Sequence, residues 1–113
     1  MRVIDLTKKL NLKMINEGDH LLDEISKPAC CDLLSVAMGN LPEHCAWVTV
    51  MSNINTLAVA SLTDAACVIL ALNTAVTEEF TDKAKATGIT VMQGSEPIFD
   101  IALEIQKALD AEK

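Results

Sequence analysis

The sequence has few of the residues with which proteins bind nucleic acids. Among its 113 residues there is no tyrosine, and the aromatic side chains are one tryptophan and two phenylalanines. Bases would therefore find few rings on which to stack. Lysine and arginine together number nine against sixteen acidic residues, and the net charge of −7 repels a phosphate backbone. This composition argues against a nucleic-acid partner.

Long apolar runs and targeting signals are also missing. The most apolar candidate for a membrane span, residues 45–63, is interrupted by Ser52, Asn53 and Asn55, and no run of about 20 apolar residues remains. Residues 1–5 contain no apolar core of a signal peptide. The four cysteines lie in hydrophobic surroundings, which indicates reduced thiols. We therefore expect a cytoplasmic protein that has no membrane partner.

Catalytic and metal-binding motifs are not recognisable. The four glycines are scattered and form no phosphate-binding loop. His44 is adjacent to Cys45, but neighbours on an extended chain point to opposite faces, which disfavours a nucleophile–base pair. The cysteine spacings lack the C-x-x-C pairs of zinc and iron–sulfur sites. We predict no catalytic residue, no metal and no cofactor; a redox or metal-binding role for Cys45 or for Cys30 and Cys31 is the less favoured alternative.

Half of the residues are hydrophobic, and they are arranged as strands alternating with helices. Apolar segments at 46–51, 66–71 and 89–92 are each followed by a helical pattern, the first helix reaching about residue 63. Such strands are typical of a parallel sheet covered on both faces. The sequence therefore predicts one α/β domain over residues 1–113, with a mostly parallel sheet flanked by helices on both faces and a small N-terminal α+β segment.

Local signals predict where several elements begin and end. In the N-terminal part they predict a helix through Val3, Leu6 and Leu10, extended segments at 12–15 and 21–25, and a short helix ending near residue 39. Helices are expected to begin at residues with capping side chains and to end at residues in a left-handed conformation. These residues are Asp32, Ser52 or Asn53, Thr77 and Ser95 as N-terminal caps, and Asn11 and Gly88 as C-terminal stops.

Polar residues follow each of the three predicted central strands. Because the carboxyl ends of parallel strands meet at one edge of a sheet, these residues are expected to converge there, where open α/β sheets bind ligands. Acidic residues in the first turn of the second helix favour a neutral or weakly anionic small ligand. The alternative is that the polar residues are ordinary caps and turns. The predicted ligand-binding residues are Ser52, Asn53, Asn55, Asn73, Thr74, Gln93 and Ser95.

A gap in the charge pattern suggests an interface. Between Glu43 and Glu78 the only charged residue is Asp64. At 100° per residue, the stripe Ile54, Leu57, Ala58 and Leu62 is predicted to face the core. The opposite face of this helix is small and neutral, as in the centre of a protein interface, unless another part of the chain covers it. The predicted homodimer contacts are Asn55, Thr56, Val59, Ala60 and Thr63.

Three stretches of the sequence resemble the DRTGG domain. They are C-D-L-L-S-V-A-M-G at 31–39, A-W-V-T-V at 46–50 and N-I-N-T-L-A-V-A at 53–60. The chain is similar throughout its length to the free-standing form of this domain and to the N-terminal regulatory domain of HPr kinase/phosphorylases. It departs from the family at 26–28, where Ser-Lys-Pro stands in place of Thr-Gly-Gly, which puts any ligand contact through that turn in question.

The resemblance implies an accessory or regulatory module rather than an enzyme. DRTGG domains accompany kinase, CBS-pair pyrophosphatase and phosphotransacetylase domains and tend to dimerise. Because this chain has no phosphate-binding loop, a kinase activity is not carried over to it. We expect a non-enzymatic homodimeric regulatory domain that binds a small ligand, or alternatively a pure interaction module for a partner enzyme.

Overall fold

Strands of three to four residues form the sheet of this protein, and helices connect most of them. The computed structural model describes residues 1–113. The strands are β1 (Lys13–Asn16), β2 (Pro28–Cys30), β3 (Ala46–Thr49), β4 (Cys67–Leu70) and β5 (Val91–Gln93). The helices are α1 (Leu6–Lys9), α2 (Leu34–Asn40), α3 (Ile54–Leu62), α4 (Glu78–Thr87) and α5 (Ile98–Ala111), and a single 3-10 turn, Val3–Asp5, precedes α1. None of these helices combines the length and the apolar character that crossing a bilayer requires.

The five strands form one sheet in the order β1-β5-β4-β3-β2. Strands β2 to β5 are parallel, and β1 pairs antiparallel with β5 at one edge. The first residues of β1 therefore lie beside the carboxyl end of β5, where Lys13 is opposite Gln93. The predicted α/β class with a mostly parallel sheet is confirmed.

Alternation along the strands divides the interior into two cores. Trp47, Val68 and Val91 point to one face, where they pack with residues of α2, α3 and α4. Val48 and Ile69 point to the other face, where they pack with the N-terminal segment and α5. Helices α2, α3 and α4 thus cover one face in succession, and after β5 the chain returns to the face on which the N-terminal segment lies. Both faces of the sheet are covered, as near-continuous apolar strands require.

Three of the predicted helix ends are confirmed. Asn53 Oδ1 accepts hydrogen bonds from the backbone N–H groups of Asn55 and Thr56 at the start of α3. Thr77 Oγ1 accepts from the N–H of Phe80 at the start of α4. Gly88, with φ of 72°, ends α4 in the left-handed conformation that glycine adopts at no steric cost.

Three other helix-end predictions are wrong. Helix α2 begins after Leu33, because the carboxylate of Asp32 binds the sheet instead. Helix α5 begins after Pro97 rather than Ser95, since the extended backbone of Pro97 leads directly into the first turn. Asn11 is not left-handed, because the chain is already extended at residue 10.

One of the two predicted N-terminal strands is confirmed, because residues 12–15 largely coincide with β1, and the other is wrong. Residues 21–25 form turns and a single bridge between Arg2 and Glu24, and the N–H of Ile25 donates to the carbonyl of Met1. These residues hold the N-terminal segment in place instead of joining the sheet. The strand that does occupy the edge beside β3 is β2, which the sequence analysis missed. It has three residues and begins with Pro28, so it shows no recognisable alternation.

Candidate functional site

The sheet order brings the predicted ligand-binding residues to one edge. Strands β3, β4 and β5 are neighbours and parallel, so the loops that follow them leave the sheet side by side. Ser52 and Asn53 follow β3, Asn73 and Thr74 follow β4, and Ser95 follows β5, which ends at Gln93. Asn55 lies in the first turn of α3.

Three of these side chains already serve the fold. Asn53 caps α3, the hydroxyl of Thr74 donates to the carbonyl of Ala71 at 2.6 Å, and Gln93 Nε2 donates to the carbonyl of Thr74 at 2.8 Å. These bonds shape the loops and reduce what the residues can offer a ligand. The remaining four, Ser52, Asn55, Asn73 and Ser95, are exposed or half-buried.

The crevice between the loops after β4 and β5 is closed by backbone hydrogen bonds. The N–H of Leu72 donates to the carbonyl of Glu96 at 3.0 Å, and the N–H of Asn73 donates to that of Gly94 at 2.8 Å. Leu72 and Asn73 both have positive φ, 55° and 51°, a conformation that costs leucine about 1 kcal/mol. The two loops are therefore bonded to each other through their backbones.

A cleft at this edge lies beside β5 instead. With a volume of about 440 Å³, it separates residues 9–12 from the β5–α5 loop and the first turns of α5. Of the residues predicted to bind a ligand, only Ser95 lines it. A sequence pattern offers no signal for this cleft, because residues 9–12 and residues 94–104 meet only in the folded chain.

Apolar side chains line part of the cleft, and charged ones surround them. The apolar residues are Leu10, Leu12, Ile101 and Leu103; the charged residues are Lys9, Glu96, Asp100 and Glu104. Gly94 allows the close packing at its base. A Cβ at that position would lie 2.7 Å from Cδ2 of Leu12 and 3.0 Å from Cδ1 of Ile101.

A second, smaller cavity at the amino edge of the sheet contains both histidines. Its volume is about 110 Å³, and its lining includes His20, Asp23, His44 and Asp64. His20 Nδ1 lies 2.8 Å from Asp23 Oδ2, and the N–H of His44 donates to the carbonyl of Asp64 at 2.7 Å. The two histidines are far apart in the sequence. The structure brings them into one cavity, yet no three potential ligands are arranged to hold a metal ion.

The four cysteines are free thiols in two different environments. Cys45 and Cys67 are completely buried, one on each side of the sheet. Burial raises the pKa of Cys45 to about 11 and also raises that of Cys67. Cys30 is exposed, and partial burial, with the nearby carboxylate of Asp32, raises its pKa as well. Raised pKa values keep thiols protonated at neutral pH, which lowers their reactivity.

The predicted orientation of α3 is wrong. Thr56, Val59 and Ala60, expected on the outer face, are buried, with at most 6% of their surface exposed, and Thr63 is half-buried. Among the predicted contact residues only Asn55 is exposed. Conversely, the predicted inward stripe contains three exposed residues. They are Ile54, Ala58 and Leu62, whereas Leu57 is buried as expected.

The neighbours of α3 explain this reversal. The helix packs against α2 on one side and α4 on the other, as well as on the sheet, so more than a narrow stripe is buried. The apolar residues of α3 itself lie on most sides of the helix, so their pattern does not indicate which side faces inward. The hydroxyl of Thr56 is accommodated inside by donating to the carbonyl of Met51 at 2.9 Å.

Comparison with known proteins identifies a fold rather than a family. The chain resembles the crystal structure of the CBS and DRTGG domains of the regulatory region of Clostridium perfringens pyrophosphatase, complexed with the activator diadenosine tetraphosphate. The TM-score is 0.74 at 14% sequence identity, and the match covers 93% of this chain and 46% of that one. No protein family and no curated protein matches the sequence.

This likeness supports a DRTGG-like fold for the chain. The chain spans about half the length of the pyrophosphatase chain that it matches. In the present structure the Ser26-Lys27-Pro28 departure lies at the amino edge of the sheet. The N–H of Ser26 donates to the carbonyl of His44, and that of Ala46 to the carbonyl of Lys27. The segment thus leads into β2, at the opposite edge from the cleft.

Proposed function

We propose that this protein is a non-catalytic regulatory domain of the DRTGG type, acting in the cytoplasm, which binds a small ligand in the cleft beside β5. The observation that carries the proposal is the fold shared over 93% of the chain with a regulatory region that was crystallised with its activator. The position of the cleft agrees with it, because open α/β sheets bind ligands outside the carboxyl ends of their strands.

The dimensions and lining of the cleft support a small-molecule ligand. Sites for such ligands have volumes of about 300–1,000 Å³ and combine apolar walls with a few polar groups. The cleft, at about 440 Å³, lies in this range. Ile101 is buried at its base, whereas Leu103 is 38% exposed on its wall. A ligand that covers Leu103 would remove apolar surface from water.

Native mass spectrometry of the purified protein tests this function. Leu103→Trp places an indole in the cleft without disturbing a buried residue, and Leu22→Trp is the matched control because Leu22 is 68% exposed and does not line the cleft. We expect a co-purifying small molecule in the wild type and in Leu22→Trp but not in Leu103→Trp. The same ligand retained by Leu103→Trp would contradict the proposed site.

We further propose that the domain forms a homodimer through the exposed faces of α2 and α3. These helices pack against each other, and neither contains a charged residue. Their exposed apolar side chains include Val36, Met38, Ile54 and Leu62. In a chain of net charge −7, a second copy meets the least repulsion at an uncharged surface. Of the contacts predicted from the sequence, Asn55 is retained. The four exposed apolar residues named above replace the predicted contacts that are buried in the structure.

Sedimentation velocity distinguishes this dimer from the alternative of an interaction module. The double variant Val36→Glu, Leu62→Glu adds two charges to the proposed interface, and Leu22→Glu, Leu103→Glu adds two elsewhere on the exposed surface. We expect the first variant to be a monomer and the second to remain a dimer. A wild-type protein that is monomeric at all concentrations, yet recovers a partner enzyme that the first variant loses, would favour the interaction module.

A further inference from the structure

The rim of the cleft carries an excess of negative charge. Three carboxylates, from Glu96, Asp100 and Glu104, line it together with one ammonium group, that of Lys9. The Lys9 ammonium lies 3.3 Å from a carboxylate outside the cleft, that of Glu112. Its charge is therefore partly compensated before any ligand arrives.

Two of the rim carboxylates also have positive neighbours. Glu104 lies 3.6 Å from the ammonium of Lys107, an exposed pair of the kind that contributes little free energy. Asp100 lies in the first turn of α5, where the helix dipole favours a negative charge. With three carboxylates against one ammonium group, the lining of the cleft still has a net negative charge, which attracts a cationic ligand.

From this charge complementarity we propose that the cleft binds a small organic cation with an apolar stem, an inference that rests on the proposed function. In this proposal, the ammonium group of the ligand lies near the three carboxylates of the rim, and its apolar stem covers Leu12 and Leu103. A polyphosphate, by contrast, meets three like charges and a single lysine that is already paired. The proposed ligand class thus differs from that of the pyrophosphatase activator.

Titration of the full chain with spermidine at low salt, followed by nuclear magnetic resonance, tests this inference. Spermidine combines ammonium groups with short methylene stems; hexanol serves as the uncharged probe and diadenosine tetraphosphate as the anionic one. The variant Asp100→Asn, Glu104→Gln removes two charges from the cleft. The variant Glu79→Gln, Asp82→Asn removes two from α4 and also changes an acidic residue in a first helical turn, so it is matched in charge and in position.

Two exposed charge contacts together change affinity by about tenfold. We expect spermidine to shift resonances of residues 9–12 and 94–104 and to bind about tenfold more weakly to the cleft variant. The α4 variant should lose less than about twofold. Equal losses in both variants would mean attraction to the acidic surface in general and would overturn the inference. Shifts caused by diadenosine tetraphosphate in these residues, without any by spermidine, would overturn the cation while leaving the cleft as the proposed ligand site. If no probe shifts these residues and Leu103→Trp retains the co-purifying ligand, the proposed function fails as well.

Discussion

Two leucines on α3 provide a direct test of how this helix is seated. Leu57 has no exposed surface, whereas Leu62 is 70% exposed. Replacing a buried leucine by alanine removes its transfer free energy and leaves a cavity, at a cost of about 3 kcal/mol. The same replacement at an exposed helical position changes stability by about 0.5 kcal/mol or less, because little surface is lost and alanine favours the helix.

Urea denaturation followed by far-ultraviolet circular dichroism measures both free energies of unfolding. At about 4 °C per kcal/mol for a domain of this size, Leu57→Ala should also lower Tm by about 12 °C. The measurements are made at several protein concentrations, since Leu62 lies in the proposed dimer surface and dimer dissociation depends on concentration. Equal, concentration-independent losses for the two variants would refute the orientation of α3 described above.

Two further predictions concern thiols and glycines. At neutral pH, a disulfide reagent should modify Cys30 and Cys31 faster than Cys45 and Cys67, because the latter two have no exposed surface; four equally fast thiols would contradict this. Gly18→Ala should lower the free energy of unfolding by about 2 kcal/mol, because Gly18 has φ of 65° and a Cβ there would lie 2.6 Å from backbone atoms. Gly39→Ala should instead raise it by about 0.5–1 kcal/mol, because a Cβ at this position in α2 meets no atom within 4 Å. Thermal unfolding of the two variants checks the opposite signs, and a shift of the same sign in both would contradict the glycine argument.

The repeating half of the fold was predictable because its signals are local. Each strand from β3 onward is a short apolar run, and side chains such as those of Asn53 and Thr77 cap helices through bonds to residues two or three positions away. Such interactions depend on residues close in the sequence. The carboxyl edge was predictable in the same way, because residue order and parallel pairing determine which loops become neighbours.

The site itself depends on contacts between distant residues. The backbone N–H groups of Leu72 and Asn73 bond the loops after β4 and β5 to each other. Because nearly every residue has such a group, the residue types do not predict these bonds. At the base of the cleft, Leu12 before β1 packs on Gly94 after the neighbouring strand β5, and these residues are far apart in the sequence. The face that α3 buries is likewise decided by its neighbouring helices and not by its own apolar pattern.

Trp47 is the only tryptophan of the chain, and no tyrosine accompanies it. Its indole is completely buried in the core beneath α2, α3 and α4, and Nε1 donates to the carbonyl of Cys31 at 2.9 Å. Intrinsic fluorescence therefore reports on one layer of the molecule alone. If the layer formed by α5 and the N-terminal segment unfolded first, the helical circular dichroism signal would fall while the fluorescence emission maximum stayed constant. The two unfolding curves would then not coincide, which would reveal an intermediate.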